Sequence, residues 1–111
     1  MNWWHGGPPI HGDEVVPPNE SGLSRSGNPL DGVYITPERD LAATYASTCR
    51  NGWIYEVEPM GEIRQDDGSL LAPGQSMVCD RARIIRRFKP SNAEVAHRRR
   101  AFAAAMRQLA P

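Results

Sequence analysis

Cysteine is scarce in the 111 residues: Cys49 and Cys79 stand far apart, with no C-x-x-C and no Cys/His cluster. Neither a zinc site nor a disulfide scaffold is supported, and both are expected to be free thiols. Long apolar runs are missing too, since the longest, Ala101–Met106, falls far short of the roughly 20 residues that span a bilayer. Met1-Asn2-Trp3-Trp4-His5-Gly6 lacks the basic-then-apolar pattern of an export signal. The expectation is a cytoplasmic, soluble protein with no membrane partner. No G-x-G-x-x-G follows a strand, and no Walker pattern and no G-x-S-x-G occur, which removes the common phosphate cradles and the serine-nucleophile elbow. His5 and His11 have only Asp13 as a third donor nearby, so no metal is expected.

Net charge is absent overall but not locally. Up to Val78 there are four basic against eleven acidic residues, and from Cys79 onward nine basic against two acidic. The basic end could recruit a nucleic acid or another acidic partner. Without interleaved aromatics, arginines turned to the acidic body or to water are the preferred reading.

What is present is one domain's worth of ordinary globular sequence, 40% hydrophobic and 23% charged. Ten Gly and ten Pro predict short elements joined by tight turns. Met1–His5 reads as a first strand halted by Gly6-Gly7-Pro8-Pro9, with His5 at its end. The stretch from Pro17 to Pro29 reads as an exposed loop. Gly32-Val33-Tyr34-Ile35 predicts a strand, with Thr36 as N-cap and Pro37 as first residue of a helix. Leu41, Tyr45 and Cys49, beside Ala42 and Ala46, predict that helix's buried face. Trp53–Glu58 alternates as a strand with Trp53, Tyr55 and Val57 on one side, and Gly61–Arg64 reads as a short strand before the turn Asp66-Asp67-Gly68. Ala82–Phe88 predicts a late strand. Ser91 and Glu94 form a capping box for a final helix over about 91–109, with Val95, Phe102, Met106 and Leu109 as an apolar stripe. The sum is an α+β domain with about five or six short strands and two helices.

The order of these motifs resembles a known family. Trp4-His5-Gly6, then Gly12-Asp13-Glu14-Val15-Val16-Pro17, then Val33-Tyr34-Ile35-Thr36 before an Ala-rich helix, then Ile54-Tyr55-Glu56-Val57-Glu58-Pro59-x-Gly61 and an acidic turn look like the rifamycin-modifying ADP-ribosyltransferases. The likeness covers residues 3–88.

That resemblance implies a small ADP-ribosyltransferase-like fold, with split antiparallel sheets around a cleft for NAD as co-substrate. It implies a catalytic set of His5, Tyr34 and Asp66, with Asp67 as the alternative acid. It implies NAD contacts from His5, Gly6, Gly7, Tyr34, Thr36, Tyr45 and Ser76, the last with Arg81 a loose match to a Ser and neighbouring Arg of the family. The family usually has Thr where this chain has Gly7. The implied activity is transfer of ADP-ribose to a rifamycin-like small molecule, a protein or a nucleic acid. Two other readings stay open, an NAD glycohydrolase and a non-catalytic nucleotide-binding module.

The chemistry suits so sparse a set. Nicotinamide leaves NAD as a neutral molecule, so the carboxyl pair of an ordinary glycosidase is not needed. One carboxylate can stabilise the developing positive charge on the ribose and help an attacking hydroxyl. A neutral imidazole can fix a hydroxyl, and a phenol ring offers a π surface to a cationic ring.

Overall fold

Trp53–Met60 alternates as its sequence predicts, and residues of both its faces are buried: Tyr55 and Val57 on one side, Ile54 and Glu56 on the other. In the computed structural model, which describes residues 1–17, 32–66 and 74–109, it lies inside an α+β fold of two antiparallel sheets and two helices. In chain order the elements are β1 (Trp3–Gly7), β2 (Glu14–Val15), β3 (Val33–Ile35), α1 (Arg39–Thr48), β4 (Trp53–Met60), β5 (Arg64–Gln65), β6 (Met77–Cys79), β7 (Arg81–Phe88) and α2 (Asn92–Leu109). One sheet has the order β1-β4-β7-β2 and the other β3-β6-β5. Between the sheets lie Val15, Val33, Ile35, Tyr55, Val57, Cys79 and Ala82. Ala42, Ala43, Ala46 and Ile54 pack with Trp4 and Phe88 on the other side of the first sheet.

Small residues set the helix against the sheet. A Cβ on Gly6 would lie 1.9 Å from the Ala42 carbonyl oxygen, and one on Gly52 would lie 1.8 Å from that of Ala46. The backbones touch where side chains usually intervene. This corrects two sequence expectations. The strand does not stop at His5, because Gly6 and Gly7 continue the ladder opposite Ile54 and Trp53. The buried face of α1 is Ala42, Ala43, Ala46 and Ser47, whereas Tyr45 is exposed and Leu41 and Cys49 are half-buried.

Thr36 is not the N-cap either. The helix begins at Arg39 behind Glu38, and the Thr36 hydroxyl instead accepts the Glu38 N–H at 3.0 Å. Gly61 takes a φ of +83° and ends β4, so the next strand starts only at Arg64. The short strands β2 and β6 were not expected. The stretch from 18 to 31, Asp67, Gly68 and the Leu109 side chain lie outside the described residues.

The second half of the chain does face the first. Arg81 pairs with Glu14, Arg83 with Glu58, Arg86 with Glu56 and Arg98 with Asp40. The exposed pairs Arg81–Glu14 and Arg83–Glu58 add little stability, but all four show where the segregated charge goes. Helix α2 starts with Ser91 accepting the Glu94 N–H at 3.1 Å; the Glu94 carboxylate is then turned to Arg98 rather than back to the cap. Its anchors are Arg98, which donates to the Asp40 carbonyl and carboxylate, and Arg99, which donates to the Ser47 carbonyl. The helix therefore rests on α1, and Phe102 and Met106 of the expected stripe stay exposed. Cys79 is buried, Cys49 half-buried, and both are free thiols. No described helix is long and apolar enough to cross a membrane.

Candidate functional site

The two sheets touch edge to edge at one rung. Trp4 of β1 and Thr36 after β3 exchange two backbone hydrogen bonds of 2.9 Å, and the ladder goes no further. In an extended strand alternate residues turn their N–H and C=O to the same edge. Gly6 therefore presents its peptide groups on the edge that Trp4 uses, at the point where β3 has parted from β1. His5 occupies the parting: its Nδ1 lies 2.7 Å from the Tyr34 carbonyl oxygen.

That contact fixes the tautomer, because a carbonyl oxygen can only accept and Nδ1 must therefore carry the proton. Burial pushes the His5 pKa below 6.5, against an upward pull from the Tyr34 carbonyl. A neutral ring with its proton on Nδ1 leaves Nε2 as an acceptor. Gly7 lies against that nitrogen, since a Cβ there would sit 3.0 Å from Nε2.

The shifted pKa predicts a pH dependence of stability. The unfolded chain binds a proton to His5 at a higher pH than the native one, so the contribution is complete above pH 6.5 and is lost as pH falls through the lower native value. The melting temperature of the protein should decline as pH falls below 6.5, and that of His5→Gln should decline less over the same acid range. Parallel melting curves for the two proteins would remove His5 from the account.

Around Asp66, the outer sheet and α1 place three further groups. Pairing of Arg64 with Val78 and Gln65 with Met77 carries Asp66 to Ser76, where the Asp66 N–H meets the Ser76 carbonyl at 3.3 Å. The Ser76 hydroxyl donates to Asp66 Oδ2 at 2.8 Å. Tyr34 and Tyr45 both have raised pKa values, first from burial and then from the negative charge of Asp66. One carboxylate thus lies within electrostatic reach of two phenols, which stay protonated and neutral beside it.

Of the residues singled out in the sequence, Ser76 and Asp66 are hydrogen-bonded, Tyr34 and Tyr45 feel the charge of Asp66, and His5 touches the Tyr34 backbone. Gly7 flanks the His5 ring. Thr36 is buried, with its hydroxyl on the Glu38 N–H. Asp67 lies outside the described residues. Among those described, no group of three His, Cys, Asp or Glu side chains could hold a metal ion.

Two residues near the junction have a role that the sequence did not show. The Tyr55 hydroxyl accepts the Ile10 N–H at 2.9 Å and donates to the Pro8 carbonyl at 3.0 Å, while Arg87 donates to the carbonyls of Ile10 and Gly12. Together they strap the β1–β2 connection over the sheet. A buried aromatic in a strand gives no local sign of such a role. No protein-family model matches the chain, and no curated protein matches it.

Proposed function

We propose that the chain is an NAD-dependent mono-ADP-ribosyltransferase, with an ADP-ribosyltransferase-like fold whose two sheets grip NAD at the β1/β3 junction. What carries the reading is the grouping of Asp66 with Tyr34 and Tyr45 next to His5 and Gly6. NAD would supply a glycosidic bond to a cationic nicotinamide that departs neutral. The residues present fit such a co-substrate. Gly6 offers one N–H and one C=O on an open strand edge, a match for the donor and acceptor of a carboxamide. The bare Gly7 leaves room beside His5 Nε2 for a ribose hydroxyl to donate to it. Tyr34 and Tyr45 supply neutral aromatic surface suited to a cationic ring.

Asp66 then has the work of stabilising positive charge that develops as the bond to nicotinamide lengthens, and of taking a proton from the incoming hydroxyl. Ser76 holds that carboxylate in one orientation. A site with a single acid suffices because the leaving group needs no proton.

Calorimetry with NAD, followed by assay of free nicotinamide, tests the proposal. Binding at micromolar to millimolar concentration is expected, with nicotinamide released in the presence of an acceptor. Release without any acceptor would make the chain a glycohydrolase. Absence of NAD binding to folded protein would remove both readings.

A further inference from the structure

Under the strapped β1–β2 connection lies a depression of about 270 Å³, lined by Pro9, Ile10, His11, Trp53, Tyr55 and Arg87. None of Tyr34, Tyr45 and Asp66 lines it, and the transferase reading gives it no task. Its charge is of one sign: no carboxylate is among the lining residues. Arg87 spends two of its N–H groups on neutral carbonyls, which leaves its positive charge without a carboxylate partner among the described residues. Lys89 adds a second cation, with Nζ 5.3 Å from the centroid of the Trp53 ring. The half-buried indole gives the depression a flat apolar wall.

An aromatic wall with two cations beside it is complementary to a flat ring system bearing a negative group. The ring exchanges water for the indole, and the anion meets charge that no protein carboxylate neutralises. The wall itself is held in shape, since the Tyr55 hydroxyl and Arg87 tie the backbone of residues 8–12. Little ordering is therefore left for a ligand to impose. On these grounds we infer that the depression is a binding site for a planar aromatic anion, either carboxylate or phosphate.

Its position adds a consequence. Across the ladder Trp53 faces Gly7 and Tyr55 faces His5, so indole, bare glycine and imidazole follow one another on one face of the sheet. A molecule seated against Trp53 has no side chain at Gly7 between it and His5 Nε2.

The test is a calorimetric titration of the whole protein with 2-naphthoate, with 2-naphthalenemethanol as the uncharged counterpart. NAD is left out, so the result is independent of the transferase reading, which nicotinamide release tests separately. Saturable binding with a Kd below about 1 mM is expected for the carboxylate, and at least about tenfold weaker binding for the alcohol. Lys89→Met, a change at an exposed residue that keeps the fold, should weaken the carboxylate about fivefold and leave the alcohol unchanged. Trp53→Leu should weaken both. Inorganic phosphate at equal concentration separates the two anion types: competition by phosphate alone at the same site favours a phosphorylated ligand, and none favours a carboxylate. No saturable binding by the folded protein, equal binding of acid and alcohol, or wild-type affinity in Lys89→Met would overturn the inference.

Discussion

Replacing Asp66 by Asn is expected to lower the rate of nicotinamide release by roughly 10²–10³, while the affinity for NAD changes little. The exchange keeps the size of the side chain and its contact with the Ser76 hydroxyl, but removes the charge felt by Tyr34 and Tyr45. A group that acts on charge present only in the transition state alters kcat far more than binding. Asp67→Asn is the companion variant, because the resemblance leaves the neighbouring acid as an alternative. Loss of activity in the Asp67 variant alone would shift the catalytic acid by one residue. Equal loss of NAD affinity and rate in Asp66→Asn would make Asp66 a binding group.

The largest effect on stability is expected from a single methyl group. Gly6→Ala and Gly52→Ala each place a Cβ under 2 Å from a carbonyl oxygen of α1, and backbone cannot swing aside as a side chain can. The helix must lift off the sheet, which opens the packing of Ile54, Trp4 and Phe88 around Ala42 and Ala46. The cost is at the upper end of overpacking, about 3 kcal/mol, or a fall in Tm of roughly 10–20 °C for a domain of this size. Gly12→Ala is the control, since a Cβ there meets nothing within 4 Å. Thermal melts of the three variants decide the matter: a Gly52→Ala protein as stable as Gly12→Ala would show that the helix seat is soft.

The same glycines explain what the sequence concealed. Gly6 and Gly7 before two prolines carry every local sign of a strand end, yet the strand runs through them, and at Gly6 a helix backbone far along the chain, at Ala42, needs the empty side. The face of α1 is hidden for the matching reason. Leu41, Tyr45 and Cys49 have the larger side chains and attract the eye, but a helix seated on glycine buries its smallest residues. Thr36 followed by proline looks like a cap, and the bridge to Trp4 holds it two residues before the cap at Glu38. Strands with length and alternation, such as Trp53–Glu58 and Ala82–Phe88, were legible. Glu14–Val15 and Met77–Cys79 carry too few alternations to be read, whereas the equally short Val33–Ile35 is marked by its β-branched and aromatic residues.

For the candidate site, the order of motifs named the residues that the proposal uses, and their arrangement was not legible. The order of His5, Tyr34 and Asp66 could be followed along the chain. That Ser76 would take hold of Asp66 depends on the pairing of Arg64 with Val78, a register that no nearby residue announces. The arginines from Cys79 onward were correctly expected to turn to the acidic body in the case of Arg81, Arg83, Arg86 and Arg98. That Arg98 and Arg99 would do so by seizing carbonyls of α1 was not visible.

The order β1-β4-β7-β2 has a temporal side as well. Two strands that are neighbours in the chain stand on opposite edges of the sheet, and the segment between them crosses the ends of both central strands. The hooks that catch it, Tyr55 and Arg87, face each other across the β4–β7 ladder and exist as a pair only after that ladder has formed. During synthesis Glu14 and Val15 leave the ribosome early and wait for Arg83 and Ala82. The β2 edge thus cannot close until β7 has been made, the kind of distant pairing that slows folding.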